Sequence, residues 1–186
     1  MHSIIILLGA QGSGKGTVAA ELMAAHEYDY IETGTILRGL DRDDPANKVV
    51  VDIMNSGALV PDEIICELVA ARLSATKDIL TDGFPRSEFQ AKWLLDWAAA
   101  HGFAVRAVLL NIPDETIMAR IQNRIAEGAG RADDADPAAI AKRVATYHAT
   151  TMPMIKFLRN APGVKFVDID ATQPVEKVFA DVKGKI

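Results

Sequence analysis

The sequence predicts an α/β domain in which a parallel β-sheet is covered by helices on both faces. Short apolar runs rich in β-branched residues alternate with longer segments of helical spacing, and this alternation is typical of parallel sheets with helical crossovers. A glycine-rich segment directly follows the first apolar run. The length of 186 residues fits a single domain.

The predicted elements follow one another in regular order. Apolar runs bounded by Gly, Asp or Pro predict strands at 4–8, 79–81, 104–111 and 164–169, with a weaker fifth at 28–31. Helical spacing predicts helices at 15–26, 61–73, 87–101, 114–127, 136–159 and 174–183. Asp136 and Pro137 provide an N-cap and a proline in the first helical turn. Asp62 and Glu63 place negative charge in another first turn, where the helix dipole favours it.

Composition excludes several classes of protein. The formal net charge is −5, from 20 basic and 25 acidic residues, whereas nucleic-acid binders more often carry a basic surplus. The run at 4–8 is far shorter than the roughly 20 residues of a membrane span, and no signal-peptide pattern accompanies it. We therefore expect a cytoplasmic protein without nucleic-acid or membrane partners. The single cysteine, Cys66, excludes an intramolecular disulfide and is expected to be a buried structural thiol.

The glycine-rich segment at 9–17 has the composition and context of a phosphate-binding loop. Glycines let successive backbone N–H groups point inward, and the following helix N-terminus favours anions. Gly16 stands where the strict motif has a Ser or Thr that ligates Mg²⁺. A glycine-rich turn with a surface lysine is the simpler alternative. The candidate phosphate ligands are Gly12, Ser13, Gly14, Lys15, Gly16 and Thr17.

This glycine pattern, with Gly16 included, resembles that of the adenylate kinases, a family of nucleoside monophosphate kinases. Other segments resemble the family in order along almost the whole chain. They are ETGTILR at 32–38, GALVPDE at 57–63, DGFPR at 82–86 with Gln90 after it, Arg120 and Arg124 after 113–115, RADD at 131–134, Arg143, and ATQPV at 171–175. DGFPR is the most diagnostic of these motifs, and their combination is specific.

The resemblance implies a three-layer P-loop NTPase fold with a five-stranded parallel sheet in the order 2-3-1-4-5. Residues 1–186 would form one kinase domain with a mobile monophosphate-binding segment at 32–61 and a short lid at 123–134. The lid contains no Cys or His, so no structural zinc is expected. The implied reaction is reversible phosphoryl transfer from Mg·ATP to AMP, giving two ADP, by a monomer whose partners are these nucleotides and whose cofactor is Mg²⁺.

Phosphoryl transfer depends on positioning and charge neutralisation more than on covalent chemistry of the protein. Arginine suits this task because its planar guanidinium binds phosphate in bidentate fashion and stays charged. Seven candidate cations come from six segments: Lys15, Arg38, Arg86, Arg120, Arg124, Arg131 and Arg143. The alternative for each arginine is a solvated helix-face charge, and Arg120 and Arg124 could pair with Asp114 or Glu127.

The resemblance also implies roles for these residues. The expected catalytic residues are Lys15, Asp82, Arg86, Arg131 and Arg143, with Asp82 organising water around Mg²⁺. Arg120, Arg124 and Gln173 complete the ATP site beside the loop. The expected AMP site comprises Thr33, Arg38, Ala58, Leu59, Val60, Gly83, Arg86, Gln90, Arg131 and Arg143. Asp133 and Asp134 would orient arginines across the lid, or would simply place charge ahead of a helix.

Two residues bear on the identity of the base. The Gln90 amide can donate and accept together, which matches the N1 and amino edge of adenine. Thr33 also resembles the AMP-specific enzymes, so both residues favour AMP. Glu32 and Thr35 depart from the family's Ser-Thr-Gly-Asp pattern, and residues 39–56 diverge. Three alternatives remain: a UMP/CMP or other monophosphate kinase, an NTPase, and a catalytically silent nucleotide-binding module.

Overall fold

The computed structural model describes residues 2–44, 47–55, 60–126, 128 and 137–186. The strands are β1 (Ser3–Gly9), β2 (Tyr28–Glu32), β3 (Asp78–Asp82), β4 (Ala104–Asn111) and β5 (Val164–Asp170). The helices are α1 (Lys15–Ala25), α2 (Thr33–Arg38), α3 (Lys48–Asn55), α4 (Asp62–Ala70), α5 (Glu88–Ala100), α6 (Asp114–Ala126), α7 (Pro137–Thr146), α8 (Met152–Asn160) and α9 (Val175–Lys183). A π-helical segment, Tyr147–Thr151, joins α7 to α8.

The five strands form one parallel sheet in the order β2-β3-β1-β4-β5, which confirms the predicted fold class. β1 lies at the centre and pairs with β3 on one side and β4 on the other. β2, the strand with the weakest sequence pattern, lies at one edge of the sheet, and only Ile31 within it is fully buried.

Helices cover the sheet on both faces. Ile4, Ile6 and Leu8 of β1 face a core cluster to which α4, α5 and α8 also contribute. Ile5 and Leu7 face the opposite cluster, which is completed by α1 and α9. Because both faces are buried, β1 is a continuous apolar run rather than an alternating one.

A smaller apolar cluster supports the loop that follows β1. Ala10 of that loop packs with Ile117 and Ile121 of α6 and with Ile140 of α7. All four are at most 5% exposed. This packing fixes the two arginine-bearing helices against the loop.

Two features of the helices differ from the prediction. The expected helix at 136–159 is interrupted by the π-helical segment, in which Met152 N–H donates to the carbonyl of Tyr147. Pro153 explains the interruption, because it has no N–H to donate and its ring crowds the preceding turn. The short helices α2 and α3, which occupy the expected mobile segment, were not predicted as helices.

Cys66 lies in the core on α4 and is 3% exposed, as expected. Burial, together with a smaller effect of the nearby carboxylates of Asp62 and Glu63, raises the pKa of its thiol to about 11. The thiol is therefore an inert packing group. Within the described ranges, no helix is both long and apolar enough to cross a bilayer.

Candidate active site

The loop between β1 and α1 has the backbone geometry of a phosphate cradle. Gly9, Gly12 and Gly14 adopt φ angles of 146°, 77° and 91°, which L-residues with side chains rarely adopt. At Gly9 a Cβ would also lie 2.6 Å from Ser13 Oγ and 2.7 Å from the Leu110 carbonyl oxygen. Gly14 is the N-cap residue of α1 and has no side chain that could accept from the first N–H groups of the helix. These groups are therefore available to an anion bound at the loop.

Lys15 reaches back over this loop. Its Nζ donates to the carbonyl oxygens of Gly9, at 2.7 Å, and Ala10, at 2.9 Å. Ser13, within the loop, is buried, whereas Gly16 and Thr17 are exposed on the first turn of α1. The ammonium group is thus held at the mouth of the cradle.

Arg120 of α6 joins the loop to the segment after β5. Its Nη1 donates to the carbonyl oxygen of Gly12, at 3.2 Å, and its Nη2 donates to that of Ala171, at 2.6 Å. Gln173 lies two residues beyond Ala171, and its Nε2 donates to the Asp170 carbonyl at 3.0 Å. The arginine and the segment at 171–173 therefore form one surface beside the cradle.

One further arginine, Arg143 of α7, contacts the loop, and another, Arg124, follows Arg120 along α6. Arg124 lies one turn beyond Arg120 on the same face of α6 and is partly buried. With the Gln11 amide oxygen turned toward α7, the guanidinium nitrogens of Arg143 lie 2.6–3.0 Å from that oxygen. No sequence pattern indicates this contact between Gln11 and Arg143.

The carboxyl end of β3 lies beside the end of β1. Asp82 is level with Leu7, two residues before the loop begins, and is 7% exposed. The hydroxyl of Tyr30 lies 3.5 Å from its Oδ2. A nearly buried carboxylate next to a phosphate cradle suits the water shell of a hard cation such as Mg²⁺.

The turn after Asp82 brings Thr33 and Arg86 together at Gly83. The Thr33 hydroxyl and the Arg86 Nε both donate to the Gly83 carbonyl, each at 2.8 Å. Gly83 has φ 74°, and a Cβ there would lie 2.9 Å from Arg86 Nη2. A glycine is therefore needed both for the backbone conformation and for the close approach of the guanidinium.

Arg38 lies at the end of α2, within a polar cluster. Its Nη2 donates to Thr35 Oγ1, at 3.1 Å, and lies 3.4 Å from Glu32 Oε1. The Thr35 hydroxyl in turn donates to the second carboxylate oxygen of Glu32. Both residues that depart from the family pattern thus contact the arginine expected to hold the monophosphate.

Gln90 is buried at the start of α5, with 5% exposure, so an exposed helix position is excluded. Its Oε1 accepts from the backbone N–H of Arg86, at 2.8 Å, and its Nε2 donates to Asp62 Oδ1, at 2.7 Å. Ser87 Oγ donates to Asp62 Oδ2, at 2.6 Å. From the sequence, Asp62 was expected only in a family-like segment and in the first turn of its helix, and no role was expected for Ser87.

The structure therefore places the predicted residues in two neighbouring groups. Around the loop after β1 lie Lys15, Arg120, Arg143 and the segment at 171–173, and Arg124 follows one turn beyond Arg120 on α6. The second group, around the end of β3, comprises Thr33, Arg38, Gly83, Arg86 and Gln90. Val60 packs against the core next to α4. Ala58, Leu59, Arg131, Asp133 and Asp134 lie outside the described residues.

Comparison with known proteins decides the family. The family model described as adenylate kinase matches residues 7–162. The chain belongs to the adenylate kinase family. It is 38% identical to the adenylate kinase of Parvibaculum lavamentivorans, over 97% of this chain and 94% of that protein. It is 34% identical to the adenylate kinase of Phocaeicola vulgatus, over 98% and 97% of the two chains.

A Prochlorococcus marinus adenylate kinase is 33% identical over the full length of both chains. The family resemblance expected from the motifs is thereby confirmed, and so is the P-loop kinase fold. The matched range covers every predicted site residue except Gln173. The protein is a kinase of this family, with a nucleotide-binding loop at the end of β1.

Proposed function

We propose that this adenylate kinase family member transfers the γ-phosphoryl group of ATP to AMP and, in reverse, forms ATP and AMP from two ADP. One observation carries the proposal beyond the family name. β1 and β3 are adjacent, with Leu7 level with Asp82, so the phosphate cradle and the Gly83–Arg86 turn lie side by side. Two phosphate-binding groups in this arrangement fit two nucleotides facing each other.

The cradle would hold the donor. Backbone N–H groups of Gly12–Gly16 and the N-terminus of α1 would bind the β-phosphate, and Lys15 would reach between the β- and γ-phosphates. Arg120 and the segment ending at Gln173 would form the surface for the adenine, since Arg120 already contacts both the loop and that segment.

The end of β3 would hold the acceptor. Arg38 and Arg86 would bind the AMP phosphate, and Thr33 and Gln90 would face the adenine. Val60, together with Ala58 and Leu59, would contact the adenine base. Gly83 supports this arrangement because its carbonyl fixes both Thr33 and Arg86.

The chemistry needs no protein nucleophile. An oxygen of the AMP phosphate attacks the γ-phosphorus in line, the bond to the bridging oxygen of ADP breaks, and that oxygen keeps the bonding electrons. Arg124, Arg131 and Arg143 would stabilise the charge on the group in transfer. Such contacts act electrostatically and are already positioned before the reaction begins.

Mg²⁺ fits the residues that are present. Asp82 is a nearly buried carboxylate beside the cradle, and Gly16 offers no hydroxyl ligand, so the ion would be held by nucleotide oxygens and by water oriented by Asp82. When bound with ATP, Mg²⁺ neutralises part of the phosphate charge.

The segment at 32–61 would close over the acceptor, and the lid at 123–134 would close over the donor. Closure excludes water and so prevents loss of ATP by hydrolysis; this family is the usual example of such a step. The ends of the first segment are attached to the core by the Thr33–Gly83 and Asp62–Ser87 hydrogen bonds. These contacts would act as the hinge points.

A panel of acceptors tests the proposal. The purified protein is mixed with Mg·ATP and, separately, AMP, dAMP, CMP, UMP and GMP, and products are quantified by chromatography. We expect rapid formation of ADP from AMP. Preferred turnover of CMP or UMP would instead identify a pyrimidine monophosphate kinase. Release of phosphate without an acceptor would identify an NTPase. Saturable AMP binding without product formation would identify a catalytically silent nucleotide-binding module.

A further inference from the structure

The side-chain amide of Gln90 is fixed from two sides by the protein itself. The Arg86 N–H donates to its oxygen and its nitrogen donates to the Asp62 carboxylate. A backbone N–H can only donate and a carboxylate can only accept, so these neighbours select one of the two orientations of the amide. With the opposite orientation, both contacts would become repulsive.

Asp62 is fixed in turn by Ser87, the N-cap residue of α5. Ser87 Oγ donates to the other carboxylate oxygen of Asp62 and accepts from the backbone N–H of Gln90, at 3.2 Å. Asp62, Ser87 and Gln90 therefore form a closed ring of hydrogen bonds between the starts of α4 and α5. With both oxygens engaged, the carboxylate has a single orientation toward Gln90.

The ring leaves the Gln90 amide one N–H and one oxygen lone pair for a ligand. Adenine presents an acceptor at N1 and a donor at its 6-amino group. A 6-oxopurine such as hypoxanthine presents the reverse, a donor at N1 and an acceptor at O6. An amide that could turn by 180° would match either base, whereas an amide held in one orientation matches only one.

We propose that Asp62 is a positioning residue that fixes the Gln90 amide and thereby sets the preference for adenine over a 6-oxopurine in the acceptor. Asp62 acts through Gln90 and does not contact the nucleotide. The inference rests on the proposed function, because it assigns the base-reading step of that same acceptor site.

AMP and IMP test the inference directly, because they share the purine shape, the ribose and the phosphate and differ in the hydrogen-bonding edge. The ratio of kcat/KM for AMP to that for IMP is measured with saturating Mg·ATP. In Asp62→Ala we expect this ratio to fall about tenfold, because the loss of one hydrogen bond of about 1.4 kcal/mol changes a ratio of this kind by that factor. The KM for AMP should rise, while kcat and the KM for ATP change little.

Two controls separate positioning from general stability. Asp62→Asn keeps an oxygen that can accept from Gln90 Nε2 and turns its NH₂ toward the Ser87 hydroxyl, so it should restore most of the ratio. Glu63→Ala removes the neighbouring first-turn acid, which is exposed, and should leave the ratio unchanged. Asp62→Ser, whose oxygen is too close to the backbone to reach Gln90, replaces Asp62→Ala if the latter does not fold.

The outcomes are distinct. An equal loss of AMP and IMP turnover in Asp62→Ala, or an unchanged ratio, would overturn the inference and leave the proposed function intact. A wild-type protein that transfers nothing to AMP would overturn the proposed function, and the inference with it. A selective fall in the ratio that Asp62→Asn restores would establish Asp62 as the positioning residue.

Discussion

Glu32 and Arg38 form an ion pair at the expected monophosphate site, with 3.4 Å between Glu32 Oε1 and Arg38 Nη2. Thr35 bonds to both side chains. Relative to the Ser-Thr-Gly-Asp pattern of the family, the acid and the hydroxyl have exchanged positions, and in this chain the two side chains are hydrogen-bonded to each other. In this arrangement the carboxylate of Glu32 contacts the arginine that would bind the AMP phosphate.

Replacing Glu32 by Gln should therefore strengthen AMP binding. The carboxylate competes with the phosphate for Arg38, whereas the amide keeps an acceptor for Thr35 without the negative charge. Because the pair is partly exposed, we expect a modest fall in the KM for AMP, about two- to fivefold. Steady-state kinetics with AMP varied measures it, with the KM for ATP as the internal control. A KM for AMP that stays the same or rises would show that Glu32 does not compete.

Lys15 should be essential for turnover. Its Nζ lies at the mouth of the cradle on the carbonyls of Gly9 and Ala10. Lys15→Met removes the charge while keeping most of the side-chain volume, and we expect kcat to fall by about 10³-fold with a much smaller change in KM. The matched control is Lys77→Met, an exposed lysine paired with Glu27 at the opposite end of β3. Near-normal kcat in Lys15→Met would refute the assigned role.

Arg143 should act on the group in transfer rather than on binding. Its guanidinium faces the phosphate loop through Gln11. Arg143→Ala is expected to lower kcat by about 10³-fold and to raise the KM values far less. Lys142→Ala, on the neighbouring position of α7, controls for loss of a charge from this helix. If Arg143→Ala changed only the KM values, the arginine would belong to ground-state binding.

The Asp168–Arg159 pair should make stability depend on acid pH. Two hydrogen bonds from Arg159, at 2.5 and 2.7 Å, together with one from Asn111, hold the pKa of Asp168 below its usual value. A carboxylate with a lowered folded-state pKa stabilises the fold above its unfolded pKa, and this stability is lost as the pH falls through the folded value.

Unfolding free energies at pH 7 and pH 3 test this prediction. Both side chains are almost half exposed, so the wild type should lose only about 0.5–1 kcal/mol more than Asp168→Asn on acidification. Asp96→Asn, an exposed change on α5, should behave as the wild type does. Equal acid sensitivity of the wild type and Asp168→Asn would contradict the assignment.

Thr81→Val should stabilise the protein. Thr81 on β3 is fully buried, and among the described residues its hydroxyl has no hydrogen-bond partner. Valine has nearly the same shape without the unsatisfied hydroxyl, so we expect a gain of about 1 kcal/mol, or about 2–4 °C in Tm. In Thr150→Val the lost hydroxyl donates to the Thr146 carbonyl, at 2.8 Å, and no gain is expected. A lower Tm in Thr81→Val would mean that the hydroxyl is satisfied.

Much of the fold could be predicted from the sequence because the clearest sequence patterns occur where strands end. The run at 4–8, followed by glycines and Lys15, fixes the central strand and the first helix together. The interruption before Pro153 was missed, because an amphipathic pattern on both sides of it concealed the local effect of one proline. Helices α2 and α3 were missed because both are short, with six and eight residues.

The site was less predictable than the fold. Motif spacing identified Arg86 and Gln90, but it could not show that Asp62, 28 residues before Gln90, fixes its amide. That contact depends on how α4 packs against α5, which no local pattern encodes. The contact of Gln11 with Arg143 is hidden for the same reason. The residues expected to contact the substrate could be predicted from the sequence, whereas the residues that orient those side chains could not.

The most direct test of the central claim is to give the purified protein only ADP and Mg²⁺ and to follow all phosphorus species by ³¹P NMR. If one site binds two nucleotides face to face, ATP and AMP should appear in equal amounts, without inorganic phosphate, and Lys15→Met should abolish both. Release of inorganic phosphate, or no change in ADP at all, would contradict the account.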